Sequence, residues 1–308
     1  MDRMTDLPLD PTGRRFTIAS GDAVAEVCEV GAALRAFAVG DIDLVPRYGS
    51  DRSTPAASGI VLAPWPNRVR DGHWTQRGQQ YQLAITEPAK GNASHGLLRF
   101  ACYRLHSQQD DAVTLAADIV PQTGYPFHLA TTVEYALTGP ALTVTHTVRN
   151  VGAAEAPVAL GTHPYFCVGD VPTGDLTVRL DAASRFVVDD RSLPVGEEPV
   201  DADTDLREPR RLAELDLDTA YSDIGRDAQG RIGARLAAPD GRAVCLWADE
   251  NFNYLQVFTT DRYPGYDLAV AIEPMTAPAD AFNSGRDLRW IAPGERWTAR
   301  WGVDYQTP

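Results

Sequence analysis

Between Phe127 and Val148 the sequence alternates so regularly that it leaves the chain little choice of fold. Phe127, Leu129, Thr131, Val133, Tyr135 and Leu137 fall on every second position, and Leu142, Val144, His146 and Val148 do the same after Thr138-Gly139-Pro140. A period of two gathers these side chains on one face of a strand, whereas a helix would scatter them around its axis. Two such runs joined at a Gly-Pro turn make an antiparallel hairpin with one apolar face, and that face must be covered by another apolar layer. His146 shares the apolar face and reads as a satisfied core histidine.

The same period recurs along the chain. Tyr81, Leu83 and Ile85 alternate, as do Val113, Leu115, Ala117 and Ile119, with turn dipeptides such as Gly21-Asp22, Gly40-Asp41 and Asp110-Asp111 between the apolar stretches. Strands are expected at Ile232 to Leu236, Val244 to Trp247 and Tyr254 to Phe258. A closing hairpin is expected at Pro293-Gly294, with Trp297, Ala299, Trp301 and Val303 on one face of its return arm. Many antiparallel strands with turns throughout predict an all-β protein, a large antiparallel β-sandwich. A length of 308 residues would also allow two domains, but no Pro/Gly/Ser-rich linker divides the chain, so 14–308 is read as one domain after a loose 1–13. Periodicity lapses from Val187 to Tyr221, where Asp, Glu, Arg and Pro are frequent; the stretch reads as an irregular functional cover with one helical turn around Pro209 to Leu215.

Composition narrows the partners. With 28 Lys+Arg against 42 Asp+Glu the formal charge is −14, a surface that repels nucleic acid and anionic membranes and leaves a small neutral ligand as the easier partner. Cys28, Cys102, Cys167 and Cys245 form no CxxC pair or metal-ligand spacing and read as reduced thiols of a cytoplasmic protein. The amino terminus has no apolar signal-peptide core, and no apolar run approaches bilayer-spanning length. A monomer or a homodimer is expected.

Two stretches set a titratable side chain among small neighbours. In LAVAIEPMTAPADAFNSG, Leu268 to Gly285, period two puts Leu268, Val270 and Ile272 on one face of a half-buried strand and Ala269, Ala271 and Glu273 on the other, with Pro274 ending the strand at Glu273. In VALGTHPYF, Val158, Leu160 and Thr162 share one face while Ala159, Gly161 and His163 share the other, again with a proline following. Two such strands could floor one cleft. Glu273 reads either as a catalytic base or as a solvated carboxylate at a strand end. Asn67-Arg68 in PWPNRVRDG, His95 in NASHGLLR and Asp218 in LDLDTAYSD are further candidates, each with a structural alternative. Arg68 could be a surface ion pair, His95 a turn residue whose ring bonds a backbone carbonyl, and Asp218 a turn or cap residue. His73, His106 and His128 have no supporting context. No P-loop, dinucleotide fingerprint, nucleophile elbow or HExxH motif occurs.

Taken in order, NR, HG, HPYF, the LD ahead of an aromatic, and EP followed by AFNSG resemble the galactose mutarotase (aldose 1-epimerase) family from about Phe16 to Tyr305. PWPNRVRDG is most similar to the bacterial branch that includes sulfoquinovose mutarotase-like proteins. The resemblance implies a large, many-stranded β-sandwich, Glu273 as general base and His163 as general acid. It also implies His95 hydrogen-bonding the sugar near its ring oxygen, and Arg68, with Asn67 beside it, and Asp218 holding sugar hydroxyls. Cys167 stands after HPYF where many members carry asparagine, a departure that bears on hydroxyl recognition rather than on the chemistry.

Interconverting the anomers of a sugar requires the ring oxygen to gain a proton as the anomeric hydroxyl loses one, so an acid and a base must straddle the hemiacetal. Protonated His163 and ionised Glu273 fit those tasks. No electrons move and only the hemiacetal bond breaks, so the reaction calls for no metal and no cofactor. The expected activity is therefore an aldose 1-epimerase acting on a hexopyranose. A phosphorylated or sulfonated hexose is the alternative substrate and would need a basic cluster, for which Arg68, Arg70 and Arg99 are candidates. A non-catalytic sugar-binding β-sandwich would need aromatic platforms but no paired acid and base. A glycoside hydrolase would need two carboxylates, Asp218 with Glu273, and would leave His163 without a task. Phe258 and Trp65 are candidates for packing on the sugar face, with core packing as the other reading for each.

Overall fold

The hairpin forms where the period-two pattern puts it. In the computed structural model, which describes residues 10–308, strands Leu129–Thr138 and Ala141–Asn150 pair antiparallel from Leu129 opposite Asn150 to Thr138 opposite Ala141. Leu129, Val133, Tyr135 and Leu137 are buried on one arm, and Leu142, Val144, His146 and Val148 on the other. The hairpin lies inside a nine-stranded sheet, between Ala112–Ile119 on one side and Arg296–Gln306 on the other, and the latter leads on to Ala243–Ala248 and Ile232–Ala237.

An eight-stranded sheet forms the second layer, in the order Pro194–Pro199, Ala182–Val188, Asp218–Ile224, Tyr254–Thr260, Ala269–Met275, Gly161–Thr162 and Val61–Leu62, with Tyr165–Phe166 also pairing Ala269–Met275. A four-stranded sheet covers Arg15 to Asp43. One apolar core draws on all three sheets, as a sandwich requires. His146 ties the two large sheets. Its Nε2 lies 3.1 Å from Nε1 of Trp301, a neighbour in its own sheet, and 3.2 Å from Oγ1 of Thr162 in the other.

Several expectations are corrected. Ala269–Met275 is buried at every residue and continues through Pro274, so Glu273 sits within a central strand and not at a half-buried strand end. Neighbours on either side cover that strand, and Pro274 is tolerated as the partner of Leu255. VALGTHPYF is three short pieces, Ala156–Val158, Gly161–Thr162 and Tyr165–Phe166, rather than one alternating strand. The run from Tyr81 to Ile85 is strand only as far as Gln82, and Ile85 is exposed. The stretch from Val187 to Tyr221 is not an irregular cover. It holds the end of Ala182–Val188, the strand Pro194–Pro199, a two-residue strand at Arg210–Arg211, a 3-10 turn at Leu212–Glu214 and the start of Asp218–Ile224. Pro194–Pro199 is the sheet edge and is exposed beyond its first residue, so it carries no apolar alternation. The turn at Pro293-Gly294 closes no hairpin, because Arg289–Ile291 pairs with Ala156–Val158 while Arg296–Gln306 crosses to the nine-stranded sheet.

Of the terminus expected to be loose, 1–9 lie outside the described residues. Asp10 to Gly13 is held, with Thr12 buried and its carbonyl accepting from the Val30 N–H. All four cysteines are free thiols. Among the described residues no helix is long and apolar enough to cross a membrane.

Candidate active site

Three adjacent strands build one wall. Gln256 is the Cα partner of both Ala220 and Glu273, and Phe258 is the partner of Asp218 and Ala271. With a period of two, Asp218, Gln256, Phe258 and Glu273 therefore share one face of the sheet, and the small Ala271 leaves space beside the carboxyl group. The opposite wall comes from Asn67-Arg68 and from His95. Arg68–Val69 pairs with Ala93–Ser94, and the His95 N–H donates to the Asn67 carbonyl at 2.8 Å. His163 enters from the end of Gly161–Thr162, held by backbone hydrogen bonds to Ile60 and from Gly59.

These elements bring Asn67, Arg68, His95, His163, Asp218 and Glu273 to the lining of one cleft of about 530 Å³, a size suited to a small ligand. At its floor His163 Nε2 lies 3.3 Å from Glu273 Oε1, and both side chains are nearly buried. The rings of His95 and His163 meet edge to face at 5.5 Å, and the Nδ1 atoms of both have no hydrogen-bond partner among the described residues. A chain of hydrogen bonds crosses the cleft. Arg68 Nη1 donates to Asn67 Oδ1 at 3.0 Å, Asn67 Nδ2 to Gln256 Oε1 at 3.4 Å, and Gln256 Nε2 to Asp218 Oδ1 at 2.7 Å.

Burial decides the charges. It pushes the His163 imidazole down to about 4, with the Arg99 and Arg68 cations adding to the effect. His95 is likewise driven well below its ordinary value, by burial first and then by the positive charges around it. Glu273 moves the other way: burial and then the Asp218 carboxylate raise it well above the carboxylate range, and Arg68 only partly offsets them. Burial thus favours a neutral imidazole beside a protonated carboxyl group over the charged pair. Protonated His163 and ionised Glu273, the forms expected to act on the hemiacetal, are the ones burial opposes, because neither charge is solvated there.

The structural alternatives fare unevenly. Arg68 is in an ion pair, but a part-buried one, bidentate to Glu87 at 2.8 and 3.0 Å. His95 is in a turn, with φ of 62°, yet its ring Nδ1 bonds no carbonyl. Asp218 opens a strand rather than a turn or cap. Trp65 is a core residue packed edge-on against Phe282, whereas Phe258 lines the cleft. Arg70 pairs with Asp189 and Asp280 and does not line the cleft, while Arg99 does. Cys167 is buried away from the cleft, its Sγ against the Asp43 carbonyl, so that departure from the family pattern does not touch the cleft lining. Gln256, Glu87 and the largely exposed Phe100 also line the cleft and were not singled out from sequence. Only Gln256 carried a signal, its place two residues before Phe258 on the same strand face.

The family model described as Aldose 1-epimerase matches residues 14–303. An uncharacterized protein of Escherichia coli (strain K12), YihR, is 31% identical over 287 residues, covering 92% of this chain and 91% of that protein. The galactose mutarotase of Sus scrofa is 31% identical over 164 residues, covering 50% of this chain and 46% of its own. The crystal structure of a GalM/aldose epimerase homologue from C. elegans superimposes with a TM-score of 0.82 at 17% identity, covering 95% of this chain and 98% of that one. The chain belongs to the aldose 1-epimerase family and is a sugar isomerase on a galactose mutarotase-like fold.

Proposed function

We propose that the protein is a mutarotase that interconverts the α and β anomers of a hexopyranose, with Glu273 and His163 as its proton-transfer pair. The observation that carries this reading is the 3.3 Å approach of His163 Nε2 and Glu273 Oε1 at the floor of a single cleft. The anomeric hydroxyl and ring oxygen of a pyranose are roughly 2.3 Å apart and each contact spans about 2.6–3.2 Å, so groups this close can serve both oxygens of one sugar. In ring opening the anomeric O–H gives its proton to Glu273. The bond from C1 to the ring oxygen breaks with its electron pair going to that oxygen, which takes a proton from His163. The products are an aldehyde, a protonated carboxyl group and a neutral imidazole.

Burial favours that final protonation state of the pair over the charged one. Rotation about C1–C2 presents the other aldehyde face. Closure then runs the transfers backwards: Glu273 protonates the carbonyl oxygen and His163 takes the proton of the attacking hydroxyl. His95, Arg68, Asn67 and Asp218 are placed to bind the remaining oxygens. A module that only bound sugar would have no use for the pair. We place the protein in the cytoplasm on its four free thiols.

A second reading of the substrate is favoured by Arg99. Its guanidinium lies over the Phe100 ring at 4.6 Å in the cleft lining, and among the described residues its Nε has no partner and no ion pair involves it. An unpaired cation in a cleft favours an anionic substituent. Polarimetry on freshly dissolved α-anomers of glucose, galactose, a hexose phosphate and a sulfonated hexose tests both. Glu273→Gln and His163→Asn should each lower kcat by about 10²–10⁴-fold. Rates within tenfold of wild type in either folded variant would remove that residue from the mechanism, and a large kcat/KM preference for an anionic sugar would replace the neutral hexose.

A further inference from the structure

Arg68 presents donors to the cleft only in the orientation that something else imposes on it. Glu87 takes two of its N–H groups in a fork, Nε at 2.8 Å and Nη2 at 3.0 Å, leaving Nη1 for Asn67. From there each bond of the chain donates in the same sense, Arg68 to Asn67 to Gln256 to Asp218. A primary amide can face either way, so the sense of Asn67 and Gln256 is set by the charges at the two ends of the chain, a cation and a carboxylate. Gln256 is in turn the Cα partner of Glu273.

We propose that Glu87 is a positioning residue of the cleft, fixing Arg68 and through it the Asn67 and Gln256 amides. The inference rests on the reading of this cleft as the sugar site. Glu87 is itself held firmly. Its backbone N–H donates to the Asn92 carbonyl at 3.0 Å, and Asn92 is fully buried. Arg191, from the turn between Ala182–Val188 and Pro194–Pro199, clamps that loop through the carbonyls of Lys90 and Gly91 and the Asn92 Oδ1. Burial works against its ionisation, but Arg68 and then Lys90 keep the Glu87 carboxyl below its ordinary range, so the fork stays charged at neutral pH. Because the two charges cancel, Arg68 offers the sugar directed donors with little net charge. Arg99 and Arg262 are left as cleft-lining cations in no ion pair among the described residues.

A double-mutant cycle on the full chain, assayed by mutarotation of the best sugar of the panel, tests this. Glu87→Gln keeps the shape but sets an NH2 against a guanidinium N–H, and should raise KM about fivefold or more while kcat stays within about threefold. Glu87→Asp retains the charge and should recover part of the loss, and it also serves if the glutamine variant folds poorly. If Glu87 acts through Arg68, the double variant Glu87→Gln/Arg68→Ala should match Arg68→Ala alone within about twofold. Multiplying effects, or an unchanged KM in folded Glu87→Gln, would overturn the proposal while leaving the mutarotase reading intact. A wild-type protein that turned over no sugar of the panel would overturn both.

Discussion

An imidazole and a carboxyl group in contact below solvent can be expected to hold one proton between them, and the allotment of that proton governs when the cleft works. Adding a second proton makes an imidazolium, which burial resists until the pH approaches about 4, well below the ordinary 6.5. Removing the last proton leaves a buried carboxylate facing Asp218, which is resisted to a pH well above the ordinary 4.5 of the carboxyl group. The pH profile of kcat/KM should therefore be flat on the acid side of neutrality, with an acid limb near 4 and an alkaline limb far above the carboxylate range. Polarimetric rates corrected for spontaneous mutarotation check this, and an acid limb at 6.5 would refute it. The residue types of the cleft were legible from short motifs because such chemistry needs them. Their protonation was not, since burial is a property of the assembled sheets. Glu87 gave no sign at all, because an acidic residue in a loop is ordinary until its arginine is known.

At the scale of elements, legibility followed the number of buried faces. Leu129–Thr138 and Ala141–Asn150 each bury one face, so period two reads true. Ala269–Met275 buries both, so the alternation of Val270 and Ile272 with Ala269, Ala271 and Glu273 does not separate buried from exposed residues. The turn that delivers His95 shows how tightly such elements are keyed. Gly96 has φ of 72°, and a Cβ there would overlap the backbone of Ala63, whose carbonyl accepts from the Leu97 N–H. Gly78 has φ of 79° but nothing within 4 Å of its Cβ position. Gly78→Ala should therefore cost only backbone strain, on the order of 1 kcal/mol, with activity unchanged. Gly96→Ala must also shift the chain next to His95, and should cost more than about 2 kcal/mol and at least tenfold in activity. Denaturant melts and rates on both variants would expose equal effects, the result that contradicts this account.

For the whole molecule, the sandwich could be foreseen while the strand order could not. Which strand neighbours which depends on contacts far apart in sequence, as when Arg296–Gln306 passes its nearest strand in sequence to pair with Ala141–Asn150. His146 turns that assembly into a measurable dependence on pH. Trp301 Nε1–H can only donate, so His146 Nε2 must accept, and the ring is neutral with its proton on Nδ1. Burial holds its pKa at about 4 against an ordinary 6.5. Between those values the unfolded chain takes up the proton and the folded one does not. The contribution is thus complete above about 6.5, is lost progressively as pH falls toward 4, and amounts to about 3 kcal/mol. Other buried histidines tilt the curve the same way, so the test is a difference. In His146→Gln the side-chain carbonyl can still accept from Trp301 but cannot titrate, so the stability gap between wild type and variant should shrink or reverse from pH 7 to pH 4.5. Urea midpoints at the two pH values measure it. A gap that stays constant would mean that His146 does not couple the union of the two sheets to protonation.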